Sequence, residues 1–378
     1  MNYEYKYQKY KNKIELLLGG RTLSRNSESR KAVKKKKSIS LEVLSWNIGK
    51  NIKEEIFKNM IIPLMGKSDI IVFGLQEIPI GVAIPNKIIT KFKKILINIL
   101  PKYKILGDVS TCKNKISAME GFGIGIFILV KEELYQKCKI IRSENDCPKK
   151  TKGYVGVTLN VNNIEIDIFN THMPFGNIEK SNKFYDKFVE WQKKKFFKSE
   201  NKIVFGDVNS RSLVTSECYD KDIKMCGEGQ EPLYCQLKSK LEKISDVKET
   251  AKLYNVGNTT NDVCYGSVKV CSIKKKDSID TLDDVATLLV KNDYIGNPPR
   301  KNCQIFKGYD EGKIRFLPTY KRDTKTGLFS LSKKGKGRLP GYADRIFHKG
   351  KNLVSIKYNP LPIIGNDHLP LNAIFKIK

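Results

Sequence analysis

Residues 201–209 read "NKIVFGDVN". The apolar half of this stretch reads as a buried strand. Its end presents a carboxylate, Asp207, and an amide, Asn209. Taken singly, an Asp or Asn after a strand is a turn former or a cap. The ending recurs, however. "LEVLSWN" closes on Asn47, "IIVFGLQE" on Glu77 and "IDIFNTH" on His172, "GYADRIF" carries Asp344 and Arg345, and "IIGNDHLPL" holds Asp367 and His368. The chain has only three histidines, and two of them stand in these places. Polar groups at one edge of packed sheets converge on a single cleft.

The set has a coherent chemistry. Glu and Asn supply hard oxygen ligands suited to Mg²⁺, which keeps water and bridges to phosphate. Two His and an Asp–Asn pair can orient water and stabilise a phosphoryl transition state. Rival mechanisms lack their residues: the chain has no Cys-x5-Arg phosphate loop, no Gly-x4-Gly-Lys-Ser/Thr loop, no HExxH and no GxSxG. A cysteine phosphatase and a P-loop kinase are thereby disfavoured.

Bulk properties agree with a polyanion as ligand. The 378 residues carry 70 Lys+Arg against 40 Asp+Glu, a formal charge of +30. That excess attracts nucleic acid, anionic lipid or phosphorylated small molecules without choosing among them. Nine cysteines in no CxxC pairing, no apolar segment resembling a secretory signal and no lipidation motif give the expectation of an intracellular, cytoplasmic chain with reduced thiols. Contact with anionic membranes would be peripheral.

Residues 1–39 stand apart as a short helix stopped at Gly19-Gly20, then a disordered basic arm. From residue 40 to 378 strand-like runs dominate, "GFGIGIFILV", "GYVGVTLNV", "IRFLPTY" and "LVSIKYN" among them. Amphipathic helices are expected over 86–100 and 179–197, with solvated lysines on the latter. Residues 212–300 read as an irregular insertion with a helix near 281–291. Trp46 and Trp191 are expected in the core, and His348 on the surface. Many strands and few helices indicate two packed sheets with helices outside.

The order "SWN", "LQE", "NTH", "GDVN", "ADRI", "NDH" resembles the endonuclease/exonuclease/phosphatase superfamily, which includes DNase I-like nucleases and phosphoinositide phosphatases. The resemblance implies an α/β (α+β) four-layer sandwich, two mixed sheets flanked by helices, and Mg²⁺-dependent phosphoester hydrolysis. Within it, "FKGYDEGKIRFLPTYKRD" (306–323) is similar to the signature of inositol polyphosphate 5-phosphatases, as are "LPGYADRIFH" and "TKGYVGVTL". The opening Tyr/Lys segment also resembles N-terminal segments of giant DNA virus proteins.

That branch implies roles. Glu77 with Asn47 holds Mg²⁺; Asp207 positions or deprotonates the attacking water; Asn209 and His172 hold phosphate oxygens. His368, oriented by Asp344, bonds the scissile phosphate, and Asp367 serves a second metal or orients its neighbour. Tyr320, Lys321 and Arg345 grip a neighbouring ring phosphate, and Lys152 another. The expected substrate is a phosphorylated inositol, free or in an anionic membrane; the alternative is a nuclease of the same superfamily, acting on nucleic acid. Departures from the branch are Tyr342 for its Trp, Ser210 for its aromatic after GDxN, Asn366-Asp367-His368-Leu369 for Ser-Asp-His-Lys, and Thr151 for Asn.

Overall fold

The computed structural model describes residues 38–49, 54–62, 67–80, 85–106, 121–149, 152–174, 178–210, 293, 295, 305–327, 329 and 340–378. The basic arm up to Lys37 and nearly all of the 212–300 insertion, its helix near 281–291 included, lie outside these residues.

Among the described residues, twelve strands form two six-stranded sheets. They are β1 (Ile39–Asn47), β2 (Ile70–Ile80), β3 (Tyr103–Ile105), β4 (Gly121–Lys131), β5 (Cys138–Lys149), β6 (Lys152–Val161), β7 (Ile164–His172), β8 (Asn201–Asp207), β9 (Asp310–Glu311), β10 (Asp344–Lys349), β11 (Leu353–Pro360) and β12 (Leu371–Ile377). The first sheet runs β11-β12-β1-β2-β4-β3 and the second β5-β6-β7-β8-β10-β9. Each sheet contains one parallel pair, β1/β2 and β7/β8, in an otherwise antiparallel ladder. A parallel pair needs a crossover: helix α1 (Glu54–Ile61) lies between β1 and β2, and α3 (Ile178–Lys194) between β7 and β8, while α2 (Pro85–Ile99) follows β2.

Strand periodicity sorts the side chains into layers. Leu41 and Val43 of β1, Ile166 and Ile168 of β7, and Ile203 and Phe205 of β8 fill the space between the sheets. On the outer face of the first sheet, Leu44, Trp46 and Phe73 pack against Phe57 and Met60 of α1 and Phe92 and Leu96 of α2. Outside the second sheet, Phe169 and Val204 meet Phe184, Phe188 and Trp191 of α3. Two sheets between two helical layers is the expected four-layer sandwich, and both tryptophans are core residues. No helix among the described residues is long and apolar enough to cross a membrane.

Three local expectations fail. "IRFLPTY" is not a strand: residues 314–319 run as irregular chain, followed by two isolated bridges at Tyr320, to Gly341 and His368. Ile314, Phe316 and Leu317 are nevertheless buried in the inter-sheet core, and the Phe316 carbonyl accepts from the Tyr342 hydroxyl at 2.9 Å. His348 is no surface residue; it is 8% exposed, with its ring 5.1 Å from that of Phe375. Nor is every cysteine reduced, since Cys147 is disulfide-bonded.

Candidate active site

The C-terminal ends of both parallel pairs lie at one edge of the sandwich and deliver Asn47, Glu77, His172 and Asp207 together. On the inter-sheet face, β7 presents His172 and β8 presents Asp207, neighbours in the parallel register. Gly206 precedes Asp207 for a steric reason. Its φ is +139°, and a Cβ there would stand 1.8 Å from the Thr171 carbonyl oxygen of β7. The Gly-Asp pair of the quoted stretch is therefore one unit, in which glycine lets β8 close on β7 and aspartate takes the strand end.

Asp207 is the hub. Asn47 Nδ2 donates to its Oδ2 at 3.0 Å, the Asn209 backbone N–H to its Oδ1 at 2.9 Å, and His172 Nε2 lies 3.3 Å from Oδ2. His368 Nε2 is 4.0 Å away from Oδ2. Burial pushes the Asp207 carboxyl up, but the hydrogen bond and charge of His172, with His368 and Lys152 behind them, outweigh it and hold the carboxyl well below its usual range. Lys152 Nζ reaches His172 Nε2. The Asn209 amide donates to the Met173 carbonyl at 2.8 Å, which fixes the turn after Asp207.

Opposite stands a second dyad. His368 Nδ1 pairs with Asp344 Oδ2 at 2.9 Å, and Thr319 Oγ1 donates to that same oxygen at 2.7 Å. Burial opposes charge on the imidazole, but Asp344, with Asp207 and Asp367 beyond it, carries His368 up to about 9. Burial also raises the Asp344 carboxyl, but His368 and Thr319 counter it, so the pair favours a proton on His368 Nδ1 toward Asp344, with Nε2 toward the cleft. Its backbone is fixed as well: Trp46 Nε1 donates to its carbonyl at 3.0 Å, and its N–H donates to Asn366 Oδ1 at 2.9 Å. The Tyr320 ring lies 4.3 Å from the His368 ring, and the two residues form a backbone bridge. Lys321 is exposed beside it, and Asp367 is half-buried with its carbonyl accepting from Arg322 N–H at 2.9 Å.

Glu77 comes to the cleft by a different route. Alternation along β2 places Gly74 and Gln76 inward, so Glu77 would face the helices. A bulge intervenes: Leu75 pairs with Gly125 and Ile78 with Gly123, leaving Gln76 and Glu77 opposite one residue of β4. Glu77 sits at φ +57°, and its carboxylate stands 3.8 Å from His172 Nε2 with its side chain 29% exposed. A non-glycine residue held in this region costs stability and marks sites where placement matters.

Among the described residues, no three His, Cys, Asp or Glu side chains are grouped to hold a metal ion by themselves. A Mg²⁺-type ion needs only one or two carboxylates, because it keeps waters and takes substrate phosphate oxygens. Glu77, aimed at the mouth by a bulge, with Asn47 and Asp207 beside it, is a donor set of that kind.

Arg345 requires a correction. It follows Asp344 in β10, so its side chain leaves the opposite face of the strand. There Nε donates to Glu311 Oε1 at 2.6 Å, Nη2 pairs with Glu311 Oε2, and Nη1 pairs with Asp293 Oδ2 at 2.7 Å. It is 1% exposed and fully engaged, so it does not reach the cleft to grip a phosphate. Thr319, Trp46 and Asn366 were not singled out as site residues; all three lie inside or beside the motifs, and their contribution is hydrogen bonds that hold His368 and Asp344.

Two packed sheets with helices outside and a cleft of buried Asp and His at the strand ends place the chain in a family by its sequence as well. The chain belongs to the endonuclease/exonuclease/phosphatase family 2, whose model matches residues 44–374. It is 40% identical over 74 residues to the polyphosphatidylinositol phosphatase INP53 of Saccharomyces cerevisiae, covering 20% of this chain and 6% of that protein. It is 32% identical over 110 residues to the phosphatidylinositol polyphosphate 5-phosphatase type IV of Mus musculus, covering 28% and 16%. The chain thus matches only a small part of the length of these relatives. Among solved structures, the inositol polyphosphate 5-phosphatase domain of SPsynaptojanin, in complex with inositol (1,4)-bisphosphate and calcium ion, superposes with a TM-score of 0.62 at 18% identity, covering 90% of this chain and 84% of that one. A ferrous NO complex of Cimex nitrophorin superposes with a TM-score of 0.55 at 17% identity, over 90% and 99%. The shared fold therefore does not fix an activity; the side chains in the cleft must.

Proposed function

We propose that the protein is a Mg²⁺-dependent phosphomonoesterase that removes the 5-phosphate from phosphoinositides or soluble inositol polyphosphates. The observation that carries this reading is the junction of Tyr320 with His368: the Pro-Thr-Tyr-Lys segment lies against the imidazole of the cleft, 4.3 Å ring to ring, and its Thr319 holds Asp344. A phosphate-binding turn fused to the hydrolytic dyad suits a ring carrying two adjacent phosphates. The relatives named above support the substrate class.

In this reading Asp207 aligns the attacking water. A carboxylate held so far down is a weak base, so Asp207 chiefly aligns that water by accepting its hydrogen bond, and takes its proton only as the new phosphorus–oxygen bond forms. His368 donates Nε2–H to a scissile phosphate oxygen while Asp344 holds its Nδ1–H. Lys152, Tyr320 and Lys321 contact the other phosphates of the headgroup; Lys and Tyr donors suit a ligand of high negative charge. Asn47 and Glu77 would hold the cation, which supplies Lewis-acid polarisation of the phosphate when bound. Displacement is in line, with no covalent enzyme intermediate. The basic arm provides attraction to an anionic surface.

The test is phosphate release from a panel of soluble inositol phosphates and short-chain phosphoinositides with Mg²⁺, beside Glu77→Ala, with plasmid nicking run in parallel. Release from 5-phosphorylated substrates alone, abolished by the substitution, is expected. Nicking without phosphate release would assign the chain to nucleic acid instead.

A further inference from the structure

Between the sheets, one layer below the cleft, the core changes character. Along β7 the inward positions are Ile166, Ile168, Asn170 and His172, and along β2 they are Ile70, Val72, Gly74 and Gln76. Hydrocarbon is the default filling of such a layer. Instead, Asn170 and Gln76, both 0% exposed, meet across the gap.

Each bond of the Asn170 amide goes to the first sheet. Nδ2 donates to the Leu75 carbonyl at 3.1 Å and to the Gly125 carbonyl at 2.8 Å, and Oδ1 accepts from Gln76 Nε2 at 2.7 Å. Leu75 and Gly125 are the last paired residues before the β2 bulge, and Gln76 is the first residue inside it. One side chain of the second sheet thus bonds both strands at the point where their ladder breaks. Buried carbonyls must find donors, and Asn170 supplies one to each carbonyl at the edge of the bulge. The next residue is Glu77 at φ +57°.

We propose that Asn170, seconded by Gln76, is a positioning residue for Glu77: by bonding the broken ladder it fixes the bulge that turns the Glu77 carboxylate toward a divalent cation. The assignment rests on the reading that Glu77 is a metal ligand. Residues that orient a metal ligand without touching the metal change affinity by about 10–100-fold when removed.

The experiment measures Mn²⁺ binding directly by electron paramagnetic resonance on the full chain, with circular dichroism to verify folding. The variants are Asn170→Asp, which keeps shape but turns an oxygen toward two carbonyls, Asn170→Leu, which keeps volume, and Gln76→Leu, which leaves both carbonyl bonds in place. The expected result is Mn²⁺ binding weakened by about 10–100-fold in the Asn170 variants and less in Gln76→Leu, with phosphate release recovered as Mg²⁺ is raised. Folded variants that bind Mn²⁺ as the parent does would overturn the proposal. So would unfolding of all three, which would make Asn170 a general core residue. Glu77→Ala separates the two levels. If it too leaves Mn²⁺ binding intact, the reading of Glu77 fails; if it abolishes binding while the Asn170 variants do not, only the role of Asn170 fails.

Discussion

Two buried charged clusters share strand β10, one on each face. On the outer face, Arg345 is enclosed by Glu311 and Asp293, Glu311 Oε1 also accepts from the Tyr358 hydroxyl at 2.7 Å, and Asp293 accepts from Ser210. Guanidinium and carboxylates are matched and sealed. On the inner face, Asp344, His368, Asp207 and His172 are also buried, yet they look onto a partly exposed Glu77, a half-buried Tyr320 and an exposed Lys321. The first cluster closes upon itself and serves the fold. The second leaves His368 Nε2 and the Glu77 carboxylate facing a mouth, and so serves a ligand. Charge and burial alone do not separate the two; openness does.

Substitutions on each face should therefore separate activity from stability. The largest effect is expected at Asp207→Asn, which should lower kcat by roughly 10²–10⁴-fold with the melting temperature little changed; a parent-like kcat in steady-state assays would remove Asp207 from the mechanism. On the outer face, Arg345→Ala leaves two carboxylates buried without a cation and should cost about 3–5 kcal/mol in denaturant unfolding. Arg345→Lys should lower stability while leaving KM unchanged, whereas a raised KM in a folded protein would return Arg345 to the substrate. The inner dyad gives a pH signature. His368 titrates near 9 in the folded chain and near 6.5 when unfolded. Its contribution to metal-free stability is thus full below about 6.5 and is lost as pH rises through 9, on the order of 3 kcal/mol. Thermal melts from pH 6 to 10 should show that decline, and His368→Gln should flatten it. The smallest effect concerns Arg322, which is 1% exposed, donates Nη2 to the Pro318 carbonyl at 2.7 Å and has no partner for Nε and Nη1 among the described residues. Burial pulls its guanidinium down to about 9. Arg322→Met should raise stability by about 1 kcal/mol; a lower melting temperature would show that its stacking over Phe329 outweighs the orphaned donors.

Much of this was legible in the sequence where strands are regular. Asn47, His172 and Asp207 end strands whose apolar residues recur with a regular period, so their identity and their place follow from one pattern. Glu77 was legible as a residue but not as a geometry, because a bulge shows only in the pairing partner, and β4 lies some fifty residues away. Arg345 was misread although the needed rule was at hand: consecutive residues of a strand face opposite ways, so Asp344 and Arg345 cannot share a cleft. The same alternation carries His348 inward beside Ile346. "IRFLPTY" has the composition of a strand, but its backbone finds no ladder and its apolar side chains are buried without one. The edge strand β5 escaped notice because "CKIIRSENDCPK" is largely polar and exposed, with register shifts that break its period. Asn170 and Gln76 stood inside "FNTH" and "LQE", and nothing in a linear pattern indicates that they meet.

The most direct measurement follows inositol 1,4,5-trisphosphate by ³¹P NMR in the presence of Mg²⁺, with the parent chain and Glu77→Ala side by side. The account predicts loss of the 5-phosphate resonance alone, accumulation of the 1,4-bisphosphate and no turnover by Glu77→Ala. Release that begins at the 1- or 4-phosphate, or that proceeds equally well without the Glu77 carboxylate, would contradict it.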